Sequence, residues 1–187
     1  MAYPPLVYRL HFQPMPGTIE TMLDQTAAFV TELRGRAAIT LRPSPIDYAM
    51  RTAETLRVID KTLAIDNPSI SGILSYVGSG LVVHNYLGTA WLETLALNIP
   101  TVCFYDPETY AFRENSLDFI TALKGAGILH DSGREAARFV LSIKDRPHAW
   151  WQSHNLQSAR HEFVSRYAVM SSNWTDAWEN EFAKWIG

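Results

Sequence analysis

The 187-residue chain carries 16 basic and 19 acidic side chains, a net charge of −3 and 47% hydrophobic residues, a balance that fits one folded domain with a substantial core. Its basic residues are scattered, which argues against a nucleic-acid footprint, and its single cysteine, Cys103, rules out a disulfide framework or a thiolate zinc site within one chain. Met1-Ala2-Tyr3-Pro4-Pro5 lacks the basic and apolar regions of a signal peptide, and no apolar run approaches the roughly 20 residues that span a bilayer, so a cytoplasmic protein without a transmembrane segment is expected.

Short β-type runs alternate with helical patterns through the first two-thirds of the chain. Leu6–Phe12 reads as a strand stopped by Pro14 and Pro16. A helix from Thr18 to about Leu33 follows, with Met22, Thr26, Phe29, Val30 and Leu33 at helical spacing. Ala38–Leu41 is a strand, Asp47–Ile59 a helix, Thr62–Ile65 a strand, and Ser69–Val77 a helix ended by Gly78. Leu81–His84 and Thr101–Tyr105 are continuously apolar up to His84, as suits strands covered on both faces, and Thr89–Leu97 is the helix between them. After Asp106-Pro107 helices dominate: about 116–125, 133–142, 149–167 and 173–185, with a short strand at Ile128-Leu129. The alternation predicts a parallel sheet with right-handed crossovers. The whole chain, 1–187, is expected to form one Rossmann-like three-layer α/β domain with a helix-rich tail from about 147. Cys103, inside an apolar strand, is expected to be a buried inert thiol.

In open parallel sheets, ligands bind beyond the carboxyl ends of the strands. His84-Asn85-Tyr86-Leu87-Gly88-Thr89 lies between a strand and a helix. Gly88 permits close backbone approach, and Thr89 occupies the expected N-cap, where free N–H groups favour an anion. Glu93, one turn later, falls on the same face and suits a ribose diol. Gly-Thr before a helix is also an ordinary capping sequence, and Glu93 equally suits solvent or the helix dipole. His84 and Asn85 are polar groups at a strand end, where loops usually carry function. Arg42 follows the strand 38–41 and projects toward the same rim, with the forked donors that suit phosphate. Arg9, inside its strand, suits an ion pair as well as a ligand, and His11 lies beside it. In the loop after 101–105, Tyr105 or Tyr110 could stack on a base and Arg113 could reach a phosphate; the same residues also suit an ordinary rim loop.

The run LVVHNYLGTAWLETLALNIPTVCFYDP resembles the nucleotide-binding segment of GT-B glycosyltransferases and related nucleotide-sugar epimerases. Together with YRLHFQPMPG, TLRPSPIDY, AGILHDSGREAARFV and AWWQSHNLQSARHEFVSRYA, in that order, it resembles a family of bacterial transferases associated with surface-carbohydrate biosynthesis. The resemblance implies one half of a GT-B fold, the donor-binding half, with a nucleotide-sugar as substrate and no cofactor. By position it places Gly88 and Thr89 on the diphosphate and Glu93 on the ribose. It also implies a missing N-terminal acceptor half, or a partner chain, without which glycosyl transfer is incomplete. It assigns no catalytic residue. The absence of an Asp-x-Asp element agrees with a site that needs no metal.

Trp174, Trp178, Phe182 and Trp185 recur at helical spacing and are expected to pack on the domain's own sheet. The alternative is that part of this stripe, or Trp150 and Trp151, forms an exposed patch. Besides a glycosyltransferase half, two readings remain: an epimerase-like half-domain and a non-enzymatic nucleotide or sugar-phosphate-binding module. A redox Rossmann enzyme is disfavoured because no Gly-x-Gly-x-x-Gly follows the first strand, and a serine hydrolase because no Gly-x-Ser-x-Gly is present.

Overall fold

The computed structural model describes residues 16–43, 51–67 and 69–186. The strand expected over Leu6–Phe12, with Arg9 and His11, and the beginning of the helix expected from Asp47 lie outside those residues. α1 spans Pro16–Leu33, beginning before the expected Thr18 at a proline, whose fixed φ suits a first helical position. β1 (Thr40–Leu41) and β2 (Ala64–Ile65) pair in parallel, with Thr40 opposite Ala64. Between them lies α2 (Thr52–Ile59), and α3 (Gly72–Val77) follows, its N-cap Ser71 accepting from Leu74 N.

β3 (Val82–His84), β4 (Thr101–Phe104) and β5 (Leu129–His130) form a second parallel sheet in the order β3-β4-β5. His84 stands opposite Cys103 and Phe104 opposite His130. α4 (Thr89–Ala96) connects β3 to β4, and α5 (Leu117–Gly125) connects β4 to β5. α6 (Gly133–Ile143) follows β5. Every residue of β4 is buried, and its side chains alternate between two apolar clusters. Val102 and Phe104 join Phe29 of α1, Leu56 of α2 and Val140 of α6. Cys103 and the following Tyr105 join Trp91 of α4, Leu123 of α5 and Leu156 farther along the chain. Helices therefore cover both faces of the sheet, in three layers. Leu56, Leu95 and Leu123 are completely buried, each contributing about 1.5–3 kcal/mol relative to exposure.

α1 and α6 meet closely because Gly133 has no side chain. A Cβ there would overlap the backbone carbonyl oxygen of Gln25, and the Gln25 side chain instead accepts from Gly133 N at 2.8 Å. Ser132 caps α6, accepting from Glu135 N at 3.1 Å; the Ser-x-x-Glu spacing is that of a capping box.

The helix expected over 149–167 is two helices, α7 (Pro147–Trp151) and α8 (His154–Tyr167). Ser153 between them has extended backbone angles, φ −63° and ψ 141°. Trp151 is 1% exposed and donates from Nε1 to Asn98 Oδ1 at 2.9 Å, while Gln157 Nε2 donates to the Trp151 carbonyl at 2.8 Å. The core thus holds the chain at the break, and Gln157 satisfies a carbonyl that an unbroken helix would have used. Trp150 is not a free patch residue either: its Nε1 donates to Ala126 O at 3.1 Å.

The tail corrects a further expectation. α9 (Trp174–Ile186) does not pack on the sheet. Trp174 is 63% exposed, Trp178 56%, Phe182 55% and Trp185 81%. Among the described residues no helix is long and apolar enough to cross a membrane.

Candidate functional site

His84 ends β3 with its ring buried. Nε2 lies 3.0 Å from Thr94 Oγ1, and Thr94 Oγ1 donates to the Trp91 carbonyl at 3.0 Å. Since the threonine spends its only proton on that carbonyl, the imidazole Nε2 is the donor to it. Burial pushes the imidazole down to about 4, so His84 is neutral at physiological pH. Such a group offers hydrogen bonding and packing rather than positive charge. Asn85 is also committed: its Nδ2 donates to Thr26 Oγ1 on α1 at 3.0 Å, which ties the loop to the first helix.

The N-cap of α4 is Gly88, in extended backbone at φ −110° and ψ −177°, not Thr89 as expected. Thr89 is the first helical residue and is exposed. The shift follows from chain geometry, because the residue with non-helical angles is the cap whatever its side chain. No side chain caps this helix, so its first turn presents N–H groups and the positive end of the dipole at the rim. Gly88 leaves room for its neighbour: a Cβ there would overlap the ring of Tyr86 where it now lies. Tyr86 is 44% exposed, and its carbonyl accepts from Gly88 N at 3.1 Å.

Glu93 is half-buried on the second turn of α4. Near it stands Tyr76 of α3, which had no motif to mark it. The Tyr76 ring meets His84 edge-on with centroids 5.8 Å apart. Burial raises its phenol above the ordinary value, and the charges of Arg42 and Glu93 both act on it. Tyr76 is therefore a neutral hydroxyl near enough to a cation and a carboxylate to feel both. Arg42 does reach this neighbourhood, but it is already engaged. It forms an ion pair with Asp66 and donates to Ile70 O at 2.6 Å. Asp66 also accepts from Ser75 Oγ at 2.5 Å. That hydrogen bond and the Arg42 guanidinium hold the Asp66 carboxyl below its usual range. A guanidinium has five N–H donors, so the pair leaves Arg42 with capacity for an anion.

The loop after β4 contributes less than expected. Tyr105 is 4% exposed, packed edge-on to Tyr110 at 6.0 Å and Phe112 at 5.5 Å, and is unavailable to stack on a base. Tyr110 is half-buried and close enough to Cys103 and Tyr86 to be influenced by them. Arg113 is exposed, preceding a 3₁₀ turn at Glu114–Ser116; its guanidinium makes no hydrogen bond or ion pair among the described residues. The buried Cys103 thiol is pushed well above its ordinary value by burial, as expected of an inert cysteine.

His84, Gly88, Glu93, Tyr76, Tyr86 and Arg42 thus belong to one neighbourhood, Asn85 anchors it, and Arg113 is not joined to it by any described contact. A shallow groove between α5 and α8, bordered by Gly125, His154, Ser158 and Glu162, lies on other elements and gathers no comparable set of charges. No group of three or more histidine, cysteine or acidic side chains suited to a metal occurs among the described residues.

The family described as LIC12162 family transferase matches residues 1–182. No curated protein and no solved structure matches the chain.

Proposed function

The chain belongs to the LIC12162 family of transferases, and from that premise we propose that it is the nucleotide-sugar-binding half of a GT-B-type glycosyltransferase, acting in the cytoplasm in surface-carbohydrate assembly. The β3–α4 loop is its diphosphate site. One observation carries this reading: the uncapped first turn of α4 and Glu93, one turn deeper, share a neighbourhood with Tyr76 and Arg42. The first-turn N–H groups and the helix dipole meet the diphosphate, and the free donors of Arg42 add charge. Glu93 accepts from the ribose hydroxyls. His84 stays neutral and holds the strand end to Thr94. In transfer, such fixed donors would stabilise the departing nucleoside diphosphate without reorganising. The acceptor and its base would come from a second domain or chain that closes over this rim.

Titration calorimetry with UDP-, GDP-, CMP- and dTDP-sugars tests the reading. At least one should bind, and Glu93→Ala should weaken it about 10- to 100-fold, as expected for loss of hydrogen bonds to a charged acceptor, while leaving inorganic pyrophosphate nearly unaffected. No heat from any nucleotide with folded protein refutes the site, and equal loss for both ligands refutes the ribose role. A non-enzymatic binding module is the second reading, favoured by the way the loop's polar groups are spent: His84 on Thr94, Asn85 on Thr26. An epimerase-like half would use the same loop.

A further inference from the structure

We propose that α9 is a homotypic dimerisation helix, pairing antiparallel with α9 of a second copy of this chain. The four large aromatic side chains of its stripe, Trp174, Trp178, Phe182 and Trp185, are each more than half exposed, and every described side chain of the helix is exposed. At about 150–250 Å² for a whole aromatic side chain, they leave on the order of 500–600 Å² of apolar surface in water. That is the upper end of what a monomer exposes in one patch. Covered on both copies, it amounts to about 1,000–1,200 Å², the lower limit for a specific interface.

The spacing of the stripe selects the occupant. An isologous contact needs a patch complementary to itself under a two-fold rotation. A two-fold axis crossing the stripe midway between Trp178 and Phe182 sets Trp178 against Phe182 of the second copy, and Trp174 against the partner's last turn around Trp185. The Trp178 and Phe182 rings already stack within one helix, with centroids at 5.3 Å, and present a flat apolar centre. Antiparallel alignment also places each positive helix end beside a negative one. Lys184 and Glu181, paired at 2.7 Å, neutralise each other on one flank of the stripe, while Asp176 and Glu179 leave each α9 two charges negative, a repulsion that added salt screens.

Sedimentation equilibrium of the whole chain over a wide concentration range, with tryptophan emission recorded alongside, tests this. The expected result is a reversible monomer–dimer equilibrium with emission shifting to shorter wavelength as dimer forms. Trp178→Glu with Phe182→Glu should abolish the dimer while leaving the circular-dichroism spectrum and the monomer's unfolding midpoint unchanged, since both rings are exposed. A chain that stays monomeric at every concentration overturns the proposal and assigns the stripe to a different partner. A dimer that survives the double substitution overturns it as well.

Discussion

His84 allows the electrostatics of the loop to be measured without knowing any ligand. Burial holds its imidazole at about 4 against 6.5 in an open chain. The unfolded chain therefore takes up a proton over a range where the folded one refuses it. Stability is complete above about pH 6.5 and falls as pH drops toward 4. Between pH 7 and about pH 4.5 the linkage amounts to about 2–3 kcal/mol. Urea unfolding of the wild type and His84→Gln at both pH values isolates it, because the carboxylates titrate alike in the two proteins. The wild type should lose about 2–3 kcal/mol more than the variant over that range. A difference between the two proteins that does not change with pH, or an imidazole that titrates near 6.5 by NMR, refutes the buried neutral histidine. It would then restore His84 as a possible positive charge for phosphate.

Two glycines separate movable from immovable obstacles. Gly133→Ala drives a methyl into the Gln25 backbone carbonyl, so α1 and α6 must part, at about 2–4 kcal/mol by urea unfolding. Gly88→Ala meets only the half-exposed Tyr86 ring, which can swing aside, so the loss should be about 1 kcal/mol or less and should vanish in a Tyr86→Ala background. The reverse ranking would contradict the packing at both loops. Cys103, fully buried with its thiol pushed up, should react with a thiol reagent only as fast as the protein opens; rapid modification of native protein would show an accessible thiolate.

The order of elements was legible because strand and helix differ in apolar period, and β4 shows the reason: with helices on both faces it is apolar from Val102 on, and its one polar side chain, Thr101, is buried at its start with its hydroxyl donating to Ile99 O. What sequence periodicity missed are features decided by distant residues. The break after Trp151 depends on Asn98 and Gln157; Pro147 and Ser153 were its only local signals, both compatible with a longer helix. Tyr76 carries no motif and joins the loop only because the fold brings its ring against His84. The one-residue shift of the cap from Thr89 to Gly88 has the same character, since either residue is permitted by its chemistry and the backbone decides. For α9 the period identified an apolar stripe correctly, but period alone does not distinguish a face that meets its own sheet from one that meets another molecule.

These differences bear on what the loop does. An expected cluster of free polar side chains has become a framework in which His84 and Asn85 are structural and Arg42 is held by Asp66. In the proposed site, the groups that would meet a ligand are backbone N–H donors, Glu93, the Tyr76 hydroxyl and the spare donors of Arg42. Of these, Arg42 is held by Asp66 and Ile70 O, and the N–H donors are fixed by the helix itself. Rigidity of that kind favours a charge that arrives already formed, such as a diphosphate, and costs little reorganisation if that charge grows during transfer. On the reading proposed above, catalysis would require a surface facing this rim, and binding would not. If the proposed second domain or chain supplies that surface, adding it should raise transfer turnover far more than nucleotide affinity, whereas a comparable gain in both would place that surface in the binding site itself.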